Sequence, residues 1–307
     1  MGKKIKHHGR ELDGILLLDK DTGITSNGAL QVAKKMFAAA KAGHTGSLDP
    51  LATGMLPICF GEATKFSQFL LDADKSYRVT ARLGIATETG DADGDVRDTR
   101  PVSVTEAQLL DALDAFRGEI QQVPSMYSAL KHDGVPLYKL ARQGIEVERQ
   151  PRTVTIHRLA LLSFDGTDAV MEVDCTKGTY VRSLVEDLGE ALGCGAHVAA
   201  LRRLWVGPYP EDGMLTLDQL GDLKREQGFD GIDAVLLPLS SCVGGMQRVD
   251  LSDNAAYYLL QGQPVTVPNR PAHGLVALFK ASSEEFLGVG EVQDDGQIAP
   301  RRLRAIS

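Results

Sequence analysis

Asp49 stands in Gly46-Ser47-Leu48-Asp49-Pro50-Leu51-Ala52-Thr53-Gly54, with glycine at both ends and proline directly after the acid. A carboxylate serves as nucleophile or general base once it is ionised and withdrawn from water. Asp before Pro in a loop is also a common turn former, and the local pattern alone favours that reading. Two features set this loop apart. His44 and Thr45 cluster polar groups beside it, and helical patterns on both sides would hold it rigidly. Arg182, after Gly178-Thr179-Tyr180, is the natural counter-charge. By itself it reads as a solvated helix residue; paired with a buried carboxylate, it would hold that carboxylate ionised. Tyr77 and Tyr180 read either as half-buried packing or as aromatics that stack on a flipped base. Lys65, on a short helix, is most simply a solvated charge.

Several chemistries are excluded by motif. There is no phosphate-binding G-x-x-x-x-G-K-[ST], no G-x-S-x-G elbow and no G-x-G-x-x-G after a strand. The four cysteines form no C-x-x-C, and the seven histidines form no H-x-x-x-H or H-E-x-x-H pair, so neither a redox motif nor a metal centre is indicated. Reduced cysteines are expected in a cytoplasmic protein. A glycosidase needs two carboxylates flanking one bond; Asp49 with Asp91 or Asp93 leaves that alternative open. No apolar run approaches the roughly 18 residues of a membrane span. The basic start of the chain lacks the apolar stretch of a secretory leader.

The net charge of −8 argues at first against a nucleic-acid partner. Its distribution matters more. Residues 211–235 carry seven acids against two bases, whereas 1–10 carry four bases and no acid. Residues 139–158 hold Lys139, Arg142, Arg149, Arg152 and Arg158 against two acids. That distribution is compatible with a basic stripe on an acidic protein, though composition alone does not favour nucleic-acid binding.

These residues need elements to position them. Residues 14–19 read as a buried strand, and apolar spacing predicts a helix over 27–41, with Thr25-Ser26-Asn27 as caps. An ordered loop over 43–54 and a helix over 61–71 follow. Residues 77–83 alternate as a strand, and 87–94 are an acidic loop. Thr105-x-x-Gln108 is a capping box. Residues 121–150 form a long polar excursion with a short helix near 136–143, and loops of that length are usually functional. A hairpin over 152–175, a helix over 179–193 and a strand over 200–206 come next. The stretch 207–245 reads as an acidic insertion and linker. Residues 249–307 form a small β-rich module, with strands at 264–268, 275–279 and 286–290. Strands interspersed with helices without regular alternation indicate an α+β fold.

Taken together, the motifs resemble the TruB family of bacterial tRNA pseudouridine synthases. The resemblance rests on Leu18-Asp-Lys20, Gly23-Ile-Thr-Ser26, Gly43 to Gly54, Gly61-Glu-Ala-Thr-Lys65, Lys75-Ser-Tyr77 and Asp91-Ala-Asp-Gly94. Pro124 to Lys131, Lys177-Gly-Thr-Tyr-Val-Arg182, Asp187-Leu-Gly189, Gly195-Ala-His197 and Leu201-Arg-Arg203 extend it. It covers residues 11–206 strongly and the tail less so. One departure is Asp21, where the family usually has proline, which bears on loop stiffness.

The resemblance implies a pseudouridine synthase fold: a mixed, mainly antiparallel central sheet flanked by helices, with a PUA-like RNA-binding module over 249–307. A basic tail (1–10) and a catalytic domain (11–248) precede that module. It implies conversion of uridine to pseudouridine at the conventional position 55 of the tRNA T-loop, without cofactor or metal. Asp49 would be the nucleophile; whether it adds to the ribose carbon or the ring, or acts first as a base, stays open. Arg182 would hold it ionised, and Asp91 would complete the network. Tyr77 would stack on the flipped base and accept a proton. Tyr180 and Leu201 would line the pocket, His44 would meet displaced loop nucleotides, and Lys65 is a further substrate-binding candidate. Residues 121–150 would grip the RNA. The partner is the T-arm of tRNA, with no membrane or protein partner, and the protein is expected to be a cytoplasmic monomer. The alternative is a tRNA-folding chaperone whose RNA binding outweighs its catalysis.

Overall fold

A computed structural model of the chain describes residues 9–128 and 130–305. Most of the expected basic tail therefore lies outside the described residues. The strands of the body are β1 (Gly14–Lys20), β2 (Ala42–His44), β3 (Thr53–Phe60), β4 (Lys75–Leu83), β5 (Ile85–Thr87), β6 (Val96–Thr99), β7 (Gly118–Gln122), β8 (Lys131–His132), β9 (Val135–Pro136), β10 (Arg152–Phe164), β11 (Asp168–Cys175) and β12 (Ala196–Val206). Its helices are α1 (Ser26–Met36), α2 (Ser67–Leu71), α3 (Glu106–Asp114), α4 (Leu137–Ala141), α5 (Val181–Ala191) and α6 (Leu217–Asp233). One sheet dominates, in the order β1-β3-β12-β4-β11-β10-β7, with β2 added against β3. All its pairs are antiparallel except β3 with β12. The expected α+β, mixed and mainly antiparallel architecture is what the chain adopts.

Side-chain alternation explains how the sheet is covered. In β4, Tyr77, Val79, Ala81 and Leu83 face the main core, as do Ala169, Met171, Val173 and Cys175 of β11. The opposite face is open to water and carries Arg78–Glu172 (2.8 Å), Arg82–Asp168 (2.6 Å) and Arg158–Glu172 (2.9 Å) pairs. At the other edge both faces are buried. Leu16, Leu18, Leu56, Ile58 and Phe60 enter the main core, and Ile15, Leu17, Met55 and Cys59 enter a second one. That second core also takes Ala277, Phe286 and Val289 from the C-terminal module, so β1 and β3 read as unbroken apolar runs.

The C-terminal module is a four-stranded sheet of β13 (Gln247–Leu251), β14 (Gly274–Lys280), β15 (Glu285–Val292) and β16 (Ile298–Leu303), with α7 (Asp253–Leu260) against it. It docks on the body through Phe66 and Phe286, 5.3 Å apart, and through the Ala305 amide, which donates to Glu62 at 2.6 Å.

Four expectations change. The helix over 27–41 stops at Met36: Ala38 has φ 49°, and its carbonyl accepts from the Arg10 amide at 2.6 Å instead of continuing the helix. The helix over 61–71 is a 3₁₀ turn (Gly61–Lys65) followed by α2. The supposed linker 207–245 contains α6, started by a Thr216/Gln219 capping box that was legible in the sequence. Residues 264–268 pair with the sheet only at Val265, opposite Ile298.

Candidate active site

The loop holding Asp49 runs between β2 and β3 and is tied on one side to the turn after β1. The Lys20 ammonium donates to the carbonyls of Asp21 and Ile24, both at 2.8 Å, and of Pro50 at 3.4 Å. The Gly23 amide donates to Pro50 O at 2.8 Å, and the Thr22 hydroxyl to Leu51 O at 3.1 Å. Ser26 accepts from the Leu48 amide at 2.7 Å and donates to the Leu48 carbonyl at 2.9 Å. Hydrogen bonds thus tie the turn at Asp21 to the loop. On the other side Arg203, 1% exposed, donates from Nε to Met55 O (2.7 Å) and from Nη2 to Gly46 O (3.1 Å). Gly54 is required where β3 begins. Its φ is +95°, and a Cβ there would sit 2.2 Å from the Arg203 carbonyl.

Arg182, in the first turn of α5, reaches this loop from beneath. Its Nε lies 3.0 Å from Asp49 Oδ2 and its Nη1 3.4 Å from Asp91 Oδ2. Nη1 donates to Thr89 O at 2.9 Å, and Nη2 to Tyr127 O at 3.0 Å. Asp91 is itself fixed: Oδ1 accepts from Thr89 Oγ1 at 2.5 Å and from the Asp93 amide at 3.2 Å. The guanidinium and Asp91 are buried, whereas the Asp49 side chain keeps 40% of its exposure. One buried cation thus joins two carboxylates and two backbone carbonyls.

Burial pushes the Asp49 carboxyl above its ordinary value; Arg182 pulls it down, and Asp91 pushes it up. Arg182 therefore opposes a desolvation that it does not fully offset, and the carboxylate is a more basic group than the ion pair alone implies. The Tyr77 phenol is pushed up by burial, so its hydroxyl is neutral at ordinary pH. The His44 imidazole is pushed down by burial and then by Arg203, so it too is neutral.

Asp49 stands between two cavities. One, of about 370 Å³, is lined by Asp49, Tyr77, Tyr127, Tyr180, Arg182 and Leu201, among others. That space suits one planar ring bounded by aromatic and aliphatic walls with a carboxylate at one side. The other, of about 480 Å³, holds His44, Asn27, Asp93, Tyr138 and Arg142 beside Asp49. So the structure gathers Asp49, Arg182, Asp91, Tyr77, Tyr180 and Leu201, and sets His44 across the loop. Lys65 is not brought there. It lines neither cavity, and its ammonium is 2.6 Å from Glu62, under the C-terminal module.

The sequence reading missed Arg203, Lys75, Lys20 and Tyr127. Lys75 lines the first cavity and donates to Leu71 O at 3.1 Å and Ala73 O at 2.5 Å; burial pushes it down to about 8. Burial also pushes Lys20 down to about 8. For Arg203 a signal existed: it lies two residues after Leu201 on one strand and so shares its face. Tyr127 enters through a backbone carbonyl, which no residue type announces.

Comparison with known proteins matches residues 34–181 to the N-terminal domain of TruB family pseudouridylate synthases. Residues 182–244 match a tRNA pseudouridylate synthase B C-terminal domain, and 248–303 a pseudouridine synthase II TruB C-terminal domain. The chain is 57% identical to a tRNA pseudouridine synthase B of Tolumonas auensis, covering 99% of this chain and 95% of that protein. It is 54% identical to the tRNA pseudouridine synthase B of Aeromonas salmonicida, covering 99% and 97%. Among solved structures it superposes on a Cbf5-Nop10-Gar1 complex chain with TM-score 0.74 and 28% identity, covering 99% of this chain and 87% of that one. An H/ACA ribonucleoprotein bound to a substrate RNA containing 2′-deoxyuridine gives TM-score 0.74 at 26% identity, covering 99% and 88%.

Proposed function

The chain belongs to the TruB family and forms pseudouridine in tRNA, and from that premise we propose that it acts on the T-loop uridine at the conventional position 55, with Asp49 as the catalytic carboxylate and no cofactor. The observation that carries this reading is the Asp49–Arg182 contact of 3.0 Å at the mouth of a ring-sized cavity walled by Tyr77, Tyr180 and Leu201.

The target uridine is flipped out of the folded loop, at a cost of about a few kcal/mol, and its base enters the 370 Å³ cavity against Tyr77. Asp49, ionised beside Arg182, promotes cleavage of the bond between N1 and the ribose C1′. The freed uracil turns within the walls, C5 bonds to C1′, and the proton displaced from C5 leaves while N1 gains one. Atoms and electrons balance within the substrate, so no external donor enters the scheme. Because burial keeps the Tyr77 phenol neutral, its ring does the stacking, and in that form its oxygen is too weak a base to take the C5 proton. His44, neutral in the second cavity, faces the nucleotides beside the flipped one. We assign residues 11–248 to catalysis, 249–307 to RNA binding, and the basic 121–150 segment to gripping the T-arm; the protein acts as a monomer.

The test is Asp49→Asn on a T-stem-loop transcript, read by tritium release from C5-labelled uridine. Loss of turnover with retained RNA binding is expected; pseudouridine formation by the variant refutes the assignment. Complementation by the inactive variant would shift the weight to a tRNA-folding role.

A further inference from the structure

We propose that Ser26 is a positioning residue for Asp49, acting through the backbone of Leu48; this rests on the Asp49 reading above. Ser26 is 3% exposed, and its one hydroxyl meets both polar groups of the residue before the acid, accepting from the Leu48 amide (2.7 Å) and donating to its carbonyl (2.9 Å). A hydroxyl can do both at once because it carries a donor and free lone pairs. The two bonds fix the peptide plane on each side of Leu48, and Asp49 follows directly. Leu48 is itself buried in the main core, so its side chain and backbone are pinned together.

Ser26 can impose this geometry because it is itself held. It is the first residue of α1, whose cap Thr25 accepts from the Gly28 amide at 3.0 Å and whose Ala29, Leu30 and Ala33 lie in the core. A rigid helix start is thereby coupled to the loop it faces, 22 residues away in the chain. Alanine would leave a buried amide and a buried carbonyl without their partner, and the loop would move to find others. The Asp49–Arg182 distance would move with it.

The experiment compares Ser26→Ala, Ser26→Thr and Ser26→Val with the parent on a T-stem-loop transcript at 25 °C. Since a displacement of about 1 Å can cost about 100-fold in rate, Ser26→Ala is expected to lose at least about tenfold in kcat with KM within about threefold. Thr and Val have the same shape and differ by the hydroxyl, so Ser26→Thr is expected to turn over at least about tenfold faster than Ser26→Val. This pair serves even if the alanine variant folds poorly. A purely structural role would lower the melting temperature of Thr and Val variants without separating their kcat values, and that result overturns the proposal. A normal kcat for folded Ser26→Ala, or a loss confined to KM, does the same. Asp49→Asn is run alongside: turnover by that variant would sink the Asp49 reading itself, whereas an inactive Asp49→Asn with a normal Ser26→Ala sinks only the positioning role.

Discussion

Asp91→Asn separates charge from shape in the site. Asparagine fills the same buried space, but its one oxygen can serve either Arg182 Nη1, which meets Asp91 Oδ2, or the Thr89 hydroxyl and Asp93 amide, which donate to Oδ1. What disappears is the negative charge 3.4 Å from the guanidinium, together with one of the two acceptor oxygens. At an effective dielectric of about 20 that attraction is worth about 5 kcal/mol gross. Most of it is offset by the desolvation that a neutral side chain no longer costs, which leaves a net loss of about 1–2 kcal/mol in holding Arg182. If that loss falls on the transition state, kcat drops roughly 5- to 30-fold. A second effect has the opposite sense. Asp91 is one of the groups pushing the Asp49 carboxyl up, so removing its charge lets Arg182 and Lys20 pull Asp49 down. With Asp49 acting as the ionised carboxylate proposed above, the acid limb of kcat against pH is expected to move to lower pH in the variant. The assay is single-turnover tritium release between pH 4.5 and 8. A lower plateau with a downshifted limb is expected. An acid limb that stays put or moves up would refute the electrostatic linkage between the two carboxylates.

Arg182→Lys replaces a fork by a point, so the Thr89 and Tyr127 carbonyls and Asp49 cannot all be served. A loss of about 1–3 kcal/mol in denaturant unfolding is expected, with kcat down at least about tenfold; a variant of parental stability would show that the carbonyl contacts carry no weight. For Asp49 the sign runs the other way. Its folded-state carboxyl is raised, so the ionised form is a net cost to folding above that value, relieved as pH falls through it. Asp49→Asn should therefore melt no lower than the parent at pH 7.5 in differential scanning calorimetry, with the difference shrinking toward pH 4; a clearly lower midpoint contradicts the burial argument. Gly54→Ala puts a methyl group 2.2 Å from Arg203 O at a φ of +95°. More than about 2 kcal/mol of destabilisation is expected by urea titration, and a neutral result would mean the β3–β12 junction moves freely.

What the sequence made legible follows from which signals are local. Alternation in β4 and β11 and the apolar stripe of α5 come from covering a sheet with helices, and each is readable within one segment. The helix in 217–233 was also announced locally, by Thr216 and Gln219, but a run of acids and glycines masked it. The site was legible in a different way. Asp49, Tyr77 and Leu201 lie on three separate segments, Tyr180 and Arg182 share a fourth, and the meeting of the four is a property of strand order, which no local pattern states. For each alone, the turn, the solvated charge or the packed ring was the better reading, and only the ordered set of motifs linked them. Lys65 shows the limit of that route: its motif is in order, yet its charge is taken up by Glu62 beneath the other module. The residues that escaped, Lys20, Lys75 and Arg203, are cations that spend their hydrogen bonds on backbone carbonyls. Their partners have no identity in the sequence, because every residue carries a carbonyl. A glycine-rich loop cannot satisfy its own backbone by regular structure, so buried donors from neighbouring elements must do it. The glycines that made Asp49 look like a turn are thus the reason the site recruits Lys20, Ser26 and Arg203 around it.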